Sequence, residues 1–486
     1  MARIVVIGAG MGGLAAAARL ATVGHRVTVC EANATHGGMV GQYRREGFSF
    51  DTGPTLLTLP AVYRDLMLKT GRTRLEDEVE LRSVEPAVLH RLPDGTAVEL
   101  ANASRARVVQ SLDEALGDGA GLRWGEMLER GRAVWEATRR PLLEEPLPDD
   151  PSALHQDPYP WPPTRRGLFA RRPLPPQGLA DVADRELRHP GLTALLDEYA
   201  LRFGFDPRRA PASLTAIPYM EQSFGIWYVT GGMRALADAV LRRCEQRRVE
   251  LRFGARVQQL LGADDRVEGV LLEDGSKLDA DVVVADTHPG ALGLPAGNTT
   301  AGAAPGRFTV LLALRGARPA GTAHRTVVHA ADRPDELDAL FSESPRLCER
   351  PTVQVLRPDD ATLAPAGNEA AVLTVTVPAH GRLDWNEAGR AAAYADAVLA
   401  HAAPELRERV LWREVRTPAD TEAWTGAVGG SVPGPALAGS GGAWLRAANR
   451  TARPGLYLVG GAAHPGGGLA RVGMSAAVTA ELIGTP

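Results

Sequence analysis

Lysine is almost missing from this chain: of its 54 basic residues only Lys69 and Lys277 are lysine, and the rest are arginine. That skew fits a GC-rich coding sequence and leaves little room for chemistry built on a lysine amine. Cysteine is scarce too. Cys30, Cys244 and Cys348 lie far apart and form no C-x-x-C pair, which excludes a disulfide framework and a cysteine zinc site and makes a reducing cytoplasm the expected setting. No metal is expected. No uninterrupted apolar run approaches the roughly 20 residues that a spanning helix needs, so a membrane would be met from its surface. An excess of one charge is lacking as well, since a net charge of −4 over 486 residues gives no reason to expect a nucleic-acid partner. G-x-S-x-G, H-E-x-x-H and the kinase set are absent, and so is any tandem repeat. Nothing sets the oligomeric state.

What is present begins with RIVVIGAGMGGLAAAARLATVGHRVTVCEAN, Arg3 to Asn33. Ile4 to Ile7 is a continuous β-branched run, as expected of a parallel strand buried on both faces. Leu14 to Val23 is small and helix-forming, Gly24 closes it, and Val27 to Cys30 forms the next strand. This βαβ unit carries G-x-G-x-x-G on its first turn. Gly8 makes the tight turn, Gly10 lets the backbone approach a pyrophosphate, and Gly13 allows close helix–strand packing, while the helix N-terminus attracts phosphate. Glu31, at the end of the second strand, is placed to accept hydrogen bonds from an adenosine ribose. A 2′-phosphate would need an arginine there, which argues against NADP. Arg3, the apolar run and the A-x-A triplets near residues 15 to 18 imitate a secretory signal. Cleavage there would remove the glycines and leave the strand ending at Glu31 without its partner.

Residues 60 to 225 differ in character, with helical patterns at Ala61 to Thr70 and Leu122 to Arg140 and a proline- and arginine-rich segment from Pro158 to Pro176. The α/β rhythm returns with a helix at Gly232 to Arg247. Turn signals at Asp264-Asp265 and Asp274-Gly275 then predict a β-meander ending in the buried run Asp281 to Ala285. The end, from Gly455, repeats the opening order of strand, glycines and small-residue helix. The expected layout is an α/β fold with a Rossmann-like cofactor domain assembled from residues 1–60, 225–290 and 440–486. A second, α+β substrate domain comes from residues 61–224 and 291–439.

Three stretches carry a family resemblance: HGGMVGQYRREGFSFDTGPTLL (36–57), EQSFGIWYVTGGMRALADAV (221–240) and GLYLVGGAAHPGGGLARVGMSAAV (455–478). Together they resemble the FAD-dependent carotenoid (phytoene) desaturase family, within the amine-oxidase-like flavoproteins. The resemblance implies FAD in a glutathione-reductase-type domain. Gly8, Gly10, Gly13 and Glu31 match its ADP site, and Gly37 and Gly38 continue along its phosphates. The backbone of Val257 would meet the adenine. Gly460, Gly461, Gly467 and Gly468 would pass the flavin, with a helix starting near Val472 pointing at the ribityl and diphosphate. Two positions depart from the family: Met39 stands where Arg is common, and Ala470-Arg471 where Pro-Gly is common.

The implied reaction removes hydride to the flavin and a proton from a CH2–CH2 unit flanked by double bonds, spreading positive charge along the polyene. Such chemistry needs a dry, long apolar channel for an apolar polyene, with the cofactor doing the redox work. Candidate groups are few. Glu221 is a proton acceptor or a structural carboxylate, and His464 approaches the flavin edge or is a satisfied turn histidine. Trp227 and Tyr228 are channel walls or core aromatics. The segment 158–176, with Trp161, Leu168 and Phe169 among Arg165, Arg166, Arg171 and Arg172, suits peripheral contact with an anionic membrane at its inner face. An ordinary proline-rich loop is the alternative there. A flavin-dependent carotenoid isomerase, an amine oxidase-type flavoprotein and a non-enzymatic prenyl-binding escort protein remain open for the whole chain.

Overall fold

The β-branched run at residues 4–7 sits at the centre of a five-stranded parallel sheet. In this computed structural model, in which residues 1–162, 177–263, 266–293 and 304–486 are described, the strand order is Glu250–Arg252, Arg26–Cys30, Arg3–Ile7, Val282–Ala285, Leu456–Leu458. Alternate residues of the central strand serve two different cores. Ile4 and Val6 pack against the helices Met11–Thr22 and Arg234–Gln246. Val5 and Ile7 face the antiparallel meander Val257–Leu261, Gly269–Leu272, Lys277–Asp279. A strand covered on both sides needs apolar side chains at every position, which is what IVVI supplies. Ala15 to Ala18 are fully buried, and their small side chains let the closing helix Leu469–Ile483 lie directly on the opening one.

The run 281–285, expected to end the meander, crosses instead into the parallel sheet and pairs Ile4 with Val282. Its continuous apolar character is that of a central strand, and the meander closes one hairpin earlier.

A seven-stranded mixed sheet forms the second layer, in the order Val410–Arg416, Gly306–Arg315, Asn368–Val377, Val353–Leu356, Arg325–Val328, Val88–Arg91, Ala97–Leu100. Strands from residues 88–100 and 306–416 therefore build one sheet although the cofactor-type βαβ elements interrupt them. Phe308, Val310, Leu312 and Leu314 pack with Trp385, Tyr394 and Val398 beneath the helix Arg390–Ala402. Period-two alternation turns Arg307 and Thr309 to the opposite face, where they meet the cavity described below. The helices Ala120–Arg139, Pro190–Leu201 and Ala216–Phe224 close this layer around Trp124, Leu195 and Tyr199. Among the described residues, no helix is long and apolar enough to cross a membrane.

Candidate functional site

A cavity of about 1210 Å³ runs between the two sheets, larger than the roughly 300–1,000 Å³ of an ordinary small-ligand site. Its lining includes Gly8, Gly10, Glu31, Gly37, Gly38 and Val257 from the parallel-sheet side, and Arg202, Ile217, Arg307 and Gln354 from the other. An extended or two-part occupant fits such a space.

At the glycine turn, Gly10 precedes the helix Met11–Thr22 in extended backbone. Gly13 stands behind the wall: a Cβ there would lie 2.2 Å from the Gly8 carbonyl oxygen, so only glycine lets the helix approach the strand this closely. The Glu31 carboxylate accepts from the Ala9 N–H at 2.7 Å with one oxygen, and from the Asn33 N–H and side-chain amide at 2.8 and 2.9 Å with the other. Of about four acceptor positions on a carboxylate, three are thus occupied and one remains for a hydroxyl on the cavity side. Glu31 therefore fits a ribose and also orders the turn itself. The Gly37-Gly38 loop is fastened from outside, since Arg234 donates to the His36 carbonyl and to Thr35 Oγ1, both at 2.8 Å.

Asp286 lines the same end and was missed by sequence reasoning. It accepts the Gly13 N–H at 2.7 Å, and burial, with the charge of Glu31 added, pushes its carboxyl up to about 7. The signal was available in an acid at the C-terminal end of a buried strand, where open α/β sheets place their ligands. Residues 421–427 also line this end. Trp424 donates from Nε1 to the Gly38 carbonyl at 3.2 Å, and its own carbonyl accepts from the Asn33 amide at 3.0 Å. The division at residue 439 thus does not separate the two faces, because the helix Pro418–Thr425 runs from the edge of the seven-stranded sheet back onto the glycine loops.

From the C-terminal stretch, Gly461, Gly467, Gly468 and Val472 line the cavity. Gly460 lies behind them at φ +91°, where a Cβ would fall 1.9 Å from Asp286 Oδ1. The closing helix begins at Leu469 rather than near Val472. The Val472 N–H already donates to the Gly468 carbonyl at 2.9 Å, so the free amides of the helix start are those of residues 469–471.

The catalytic candidates fare differently from the glycines. Glu221 is on the cavity wall, 5% exposed, but both oxygens are engaged: Arg202 donates to one at 2.5 Å and Arg325 to the other at 3.3 Å. Arg325 also pairs with Glu198 at 3.0 Å. Burial opposes ionisation of Glu198, yet Arg202 and Arg325 hold it down at about 2. Glu221 is the centre of an ion-paired box, not a poised base. His464 is fully buried away from the cavity, with Nε2 donating to the Glu145 carbonyl at 3.1 Å, and burial pushes it down to about 4. Trp227 and Tyr228 are not on the wall either. Their neighbour Ile226 is, while Trp227 packs against the helical core and the Tyr228 hydroxyl donates to Asp360 at 2.8 Å.

The expectation of a wholly apolar channel also needs correcting. Phe203, Ile217, Met220, Ile226 and Leu356 do line the cavity, but so do Arg202, Arg307, Arg325 and Arg471. Arg307 donates to Thr376 Oγ1 at 2.5 Å, and neither it nor Arg471 forms an ion pair among the described residues. Burial, with the like charge of Arg202 added, pushes Arg471 down to about 10, and burial brings Arg307 to the same value.

Comparison with known proteins accords with this geometry. The chain is 30% identical over 496 residues to the hydroxyneurosporene desaturase of Rubrivivax gelatinosus, covering 99% of this chain and 93% of that protein. It is 30% identical over 505 residues to the lycopene-forming phytoene desaturase of Pseudescherichia vulneris, covering 99% of each. An oxidoreductase from Methanosarcina mazei shares the fold with a TM-score of 0.63 at 17% identity, covering 99% of this chain and 100% of that one. The model of the flavin containing amine oxidoreductases matches residues 11–483, and the chain belongs to that family.

Proposed function

We propose that the chain is a FAD-dependent oxidoreductase that desaturates a carotenoid or related polyisoprenoid by hydride transfer to flavin, in carotenoid biosynthesis. One observation carries this reading: a single cavity joins the glycine turn and Glu31 to a wall of apolar side chains from the second domain, in a chain similar over its length to carotenoid desaturases. The proposed cofactor domain comprises residues 1–60, 225–290 and 440–486, touched by residues 421–427. Residues 61–224 and 291–439 otherwise form the substrate domain.

Gly8, Gly10, Glu31 and Val257 would hold the ADP half, with Gly13 supporting the turn from behind. Gly37 and Gly38 would follow the phosphates, and Gly461, Gly467, Gly468 and Val472 the flavin. When bound, FAD supplies the hydride acceptor. The protein's part is positional. The amides at the start of the helix Met11–Thr22 attract phosphate, Glu31 accepts from a ribose hydroxyl, and Phe203, Ile217, Met220, Ile226 and Leu356 keep water from the polyene. A C–H beside a delocalised cation is acidic enough to pass its proton to a single water molecule admitted beside the polyene, so a tuned carboxylate base is not required, in keeping with Glu221 being paired on both oxygens.

A polyene dissolves in membranes, and peripheral contact with the inner face of one is part of the proposal. Trp161 packs edge-on to Tyr159, 4.7 Å between centroids, at the start of the segment 158–176. Leu168, Phe169, Arg165, Arg166, Arg171 and Arg172 lie outside the described residues. Replacing the four arginines is expected to weaken binding to anionic liposomes, and unchanged binding would refute this contact.

The purified protein is expected to be yellow with bound FAD. Its flavin should bleach anaerobically with phytoene or a hydroxylated acyclic carotenoid and not with a plain amine. Bleaching by the amine alone, or a colourless protein refractory to FAD, would overturn the reading.

A further inference from the structure

We propose that Trp424 is a cofactor-binding residue supplied by the substrate domain. The helix Pro418–Thr425 reaches over the glycine loops as a strap, and Trp424, near its C-terminal end, closes over the ADP half of FAD and governs how fast the cofactor leaves. This goes beyond the cofactor reading above and rests on it.

Trp424 is a large apolar side chain left 44% exposed, yet it stands on the cavity wall with Glu31, Asn33 and Gly38. An indole so placed buries its rings when a flat, partly apolar ligand such as an adenosine lies against it. Its polar edge needs nothing from that ligand, because Nε1 already donates to the Gly38 carbonyl at 3.2 Å.

Two parts of the ADP site are tied to this one residue. The Asn33 side-chain amide spends its two hydrogens on Glu31 Oε1 at 2.9 Å and on the Trp424 carbonyl at 3.0 Å. The carboxylate set for a ribose hydroxyl is therefore linked to the strap. At Gly38, the trans peptide turns the Met39 N–H opposite to the carbonyl that Trp424 holds. That N–H has no partner among the described residues, and Met39 lines the cavity. Fixing the carbonyl thus holds a free amide in place for a phosphate oxygen.

The strap is anchored in the other domain. It follows directly on the edge strand Val410–Arg416, and its start is closed by a reciprocal cap. The Thr417 N–H donates to Asp420 Oδ2 at 2.8 Å, and the Asp420 N–H donates to Thr417 Oγ1 at 3.2 Å. A Cβ on Gly306, where the neighbouring strand begins, would lie 2.9 Å from the Pro418 ring, and one on Gly430 would lie 1.9 Å from the Pro418 carbonyl oxygen. The start of the helix is thus pressed between two segments of its own domain. Its far end is held to the cofactor domain by the two hydrogen bonds at Trp424, both exposed. A helix anchored firmly at one end and lightly at the other opens without unfolding either core. Removing the light contact therefore acts on release of the ligand beneath it more than on capture.

The test loads the full-length protein with FAD and follows release by flavin fluorescence anisotropy after excess ADP is added to occupy vacated sites. Trp424→Ala is expected to release FAD at least about tenfold faster than wild type, and to bind ADP more weakly by a similar factor in calorimetry. The Tm of its apoprotein should stay at the wild-type value. Trp424→Phe, which keeps a ring and loses the Nε1 donor, should fall between the two. Phe253→Ala removes another exposed ring, next to the Gly254 N–H that donates to the Asn33 carbonyl but off the cavity wall, and should release FAD at the wild-type rate. Wild-type release from Trp424→Ala overturns the proposal, and so does equal acceleration in Phe253→Ala. Faster release together with a lowered apoprotein Tm would make Trp424 a packing residue and also refute it. A wild-type protein that takes up neither FAD nor ADP would remove the cofactor site itself, an outcome distinct from these.

Discussion

Asp286 accepts the Gly13 N–H at 2.7 Å, and a Cβ on Gly460 would lie 1.9 Å from the other oxygen of the same carboxylate. One side chain thereby joins the first glycine turn of the chain to the last across the end of the parallel sheet. Burial, with Glu31 nearby, keeps this carboxyl half-protonated at about 7 rather than at its ordinary 3.8.

The sign of the resulting pH effect follows. A folded-state value raised above the unfolded one stabilises the protein at low pH, and that contribution is lost as pH rises through about 7. A diphosphate brought beside Asp286 raises its affinity for a proton further. FAD binding should therefore tighten as pH falls between about pH 8 and 6. In Asp286→Asn the dependence should flatten, with binding tighter than wild type by roughly tenfold at the alkaline end. Titrating flavin fluorescence against apoprotein at several pH values checks both.

Replacing Glu221 by Gln removes the charge between Arg202 and Arg325. Breaking a buried ion pair on one side costs about 3–5 kcal/mol, so denaturant unfolding should show a large loss of stability. Whatever activity survives should keep its pH profile. Intact stability with a vanished limb of the pH–rate profile would instead mark Glu221 as the base.

Gly13→Ala places a methyl 2.2 Å from the Gly8 carbonyl. Backbone must shift, at about 1–3 kcal/mol, and the shift falls on the turn meant for phosphate. The expected outcome is a lowered Tm together with loss of bound flavin, measured by melting and by flavin absorbance on the same sample.

Glu31→Gln keeps the size but weakens the acceptor set. It should loosen FAD by roughly tenfold, about 1.4 kcal/mol, and also loosen the turn, because the Ala9 and Asn33 amides lose a charged partner. Isothermal titration with FAD and with AMP should show the same loss for both ligands, placing the effect at the adenosine end.

How far the site was legible in the sequence depends on the distance over which each feature is decided. The opening βαβ unit, Glu31 and the final glycines declare themselves within a few dozen residues, because strand, turn and helix each have their own local pattern. Asp286 escaped notice because its role depends on Val282–Ala285 pairing beside Arg3–Ile7, a contact spanning nearly 280 residues. The pairing of Glu221 was illegible for the same reason, since Arg202 and Arg325 reach it from other elements. Trp227 and Tyr228 looked like channel residues by their position before a glycine turn. Their strand is clamped between Leu57–Thr58 and Leu81–Ser83, and that packing puts Ile226 on the cavity instead.

In the proposed reaction, substrate desaturation and flavin reduction are one event. A single anaerobic turnover of FAD-loaded enzyme with a limiting polyene tests it most directly, by counting double bonds gained against flavin reduced. One flavin should be reduced for each double bond introduced. A product with altered double-bond geometry and the flavin unchanged would contradict it.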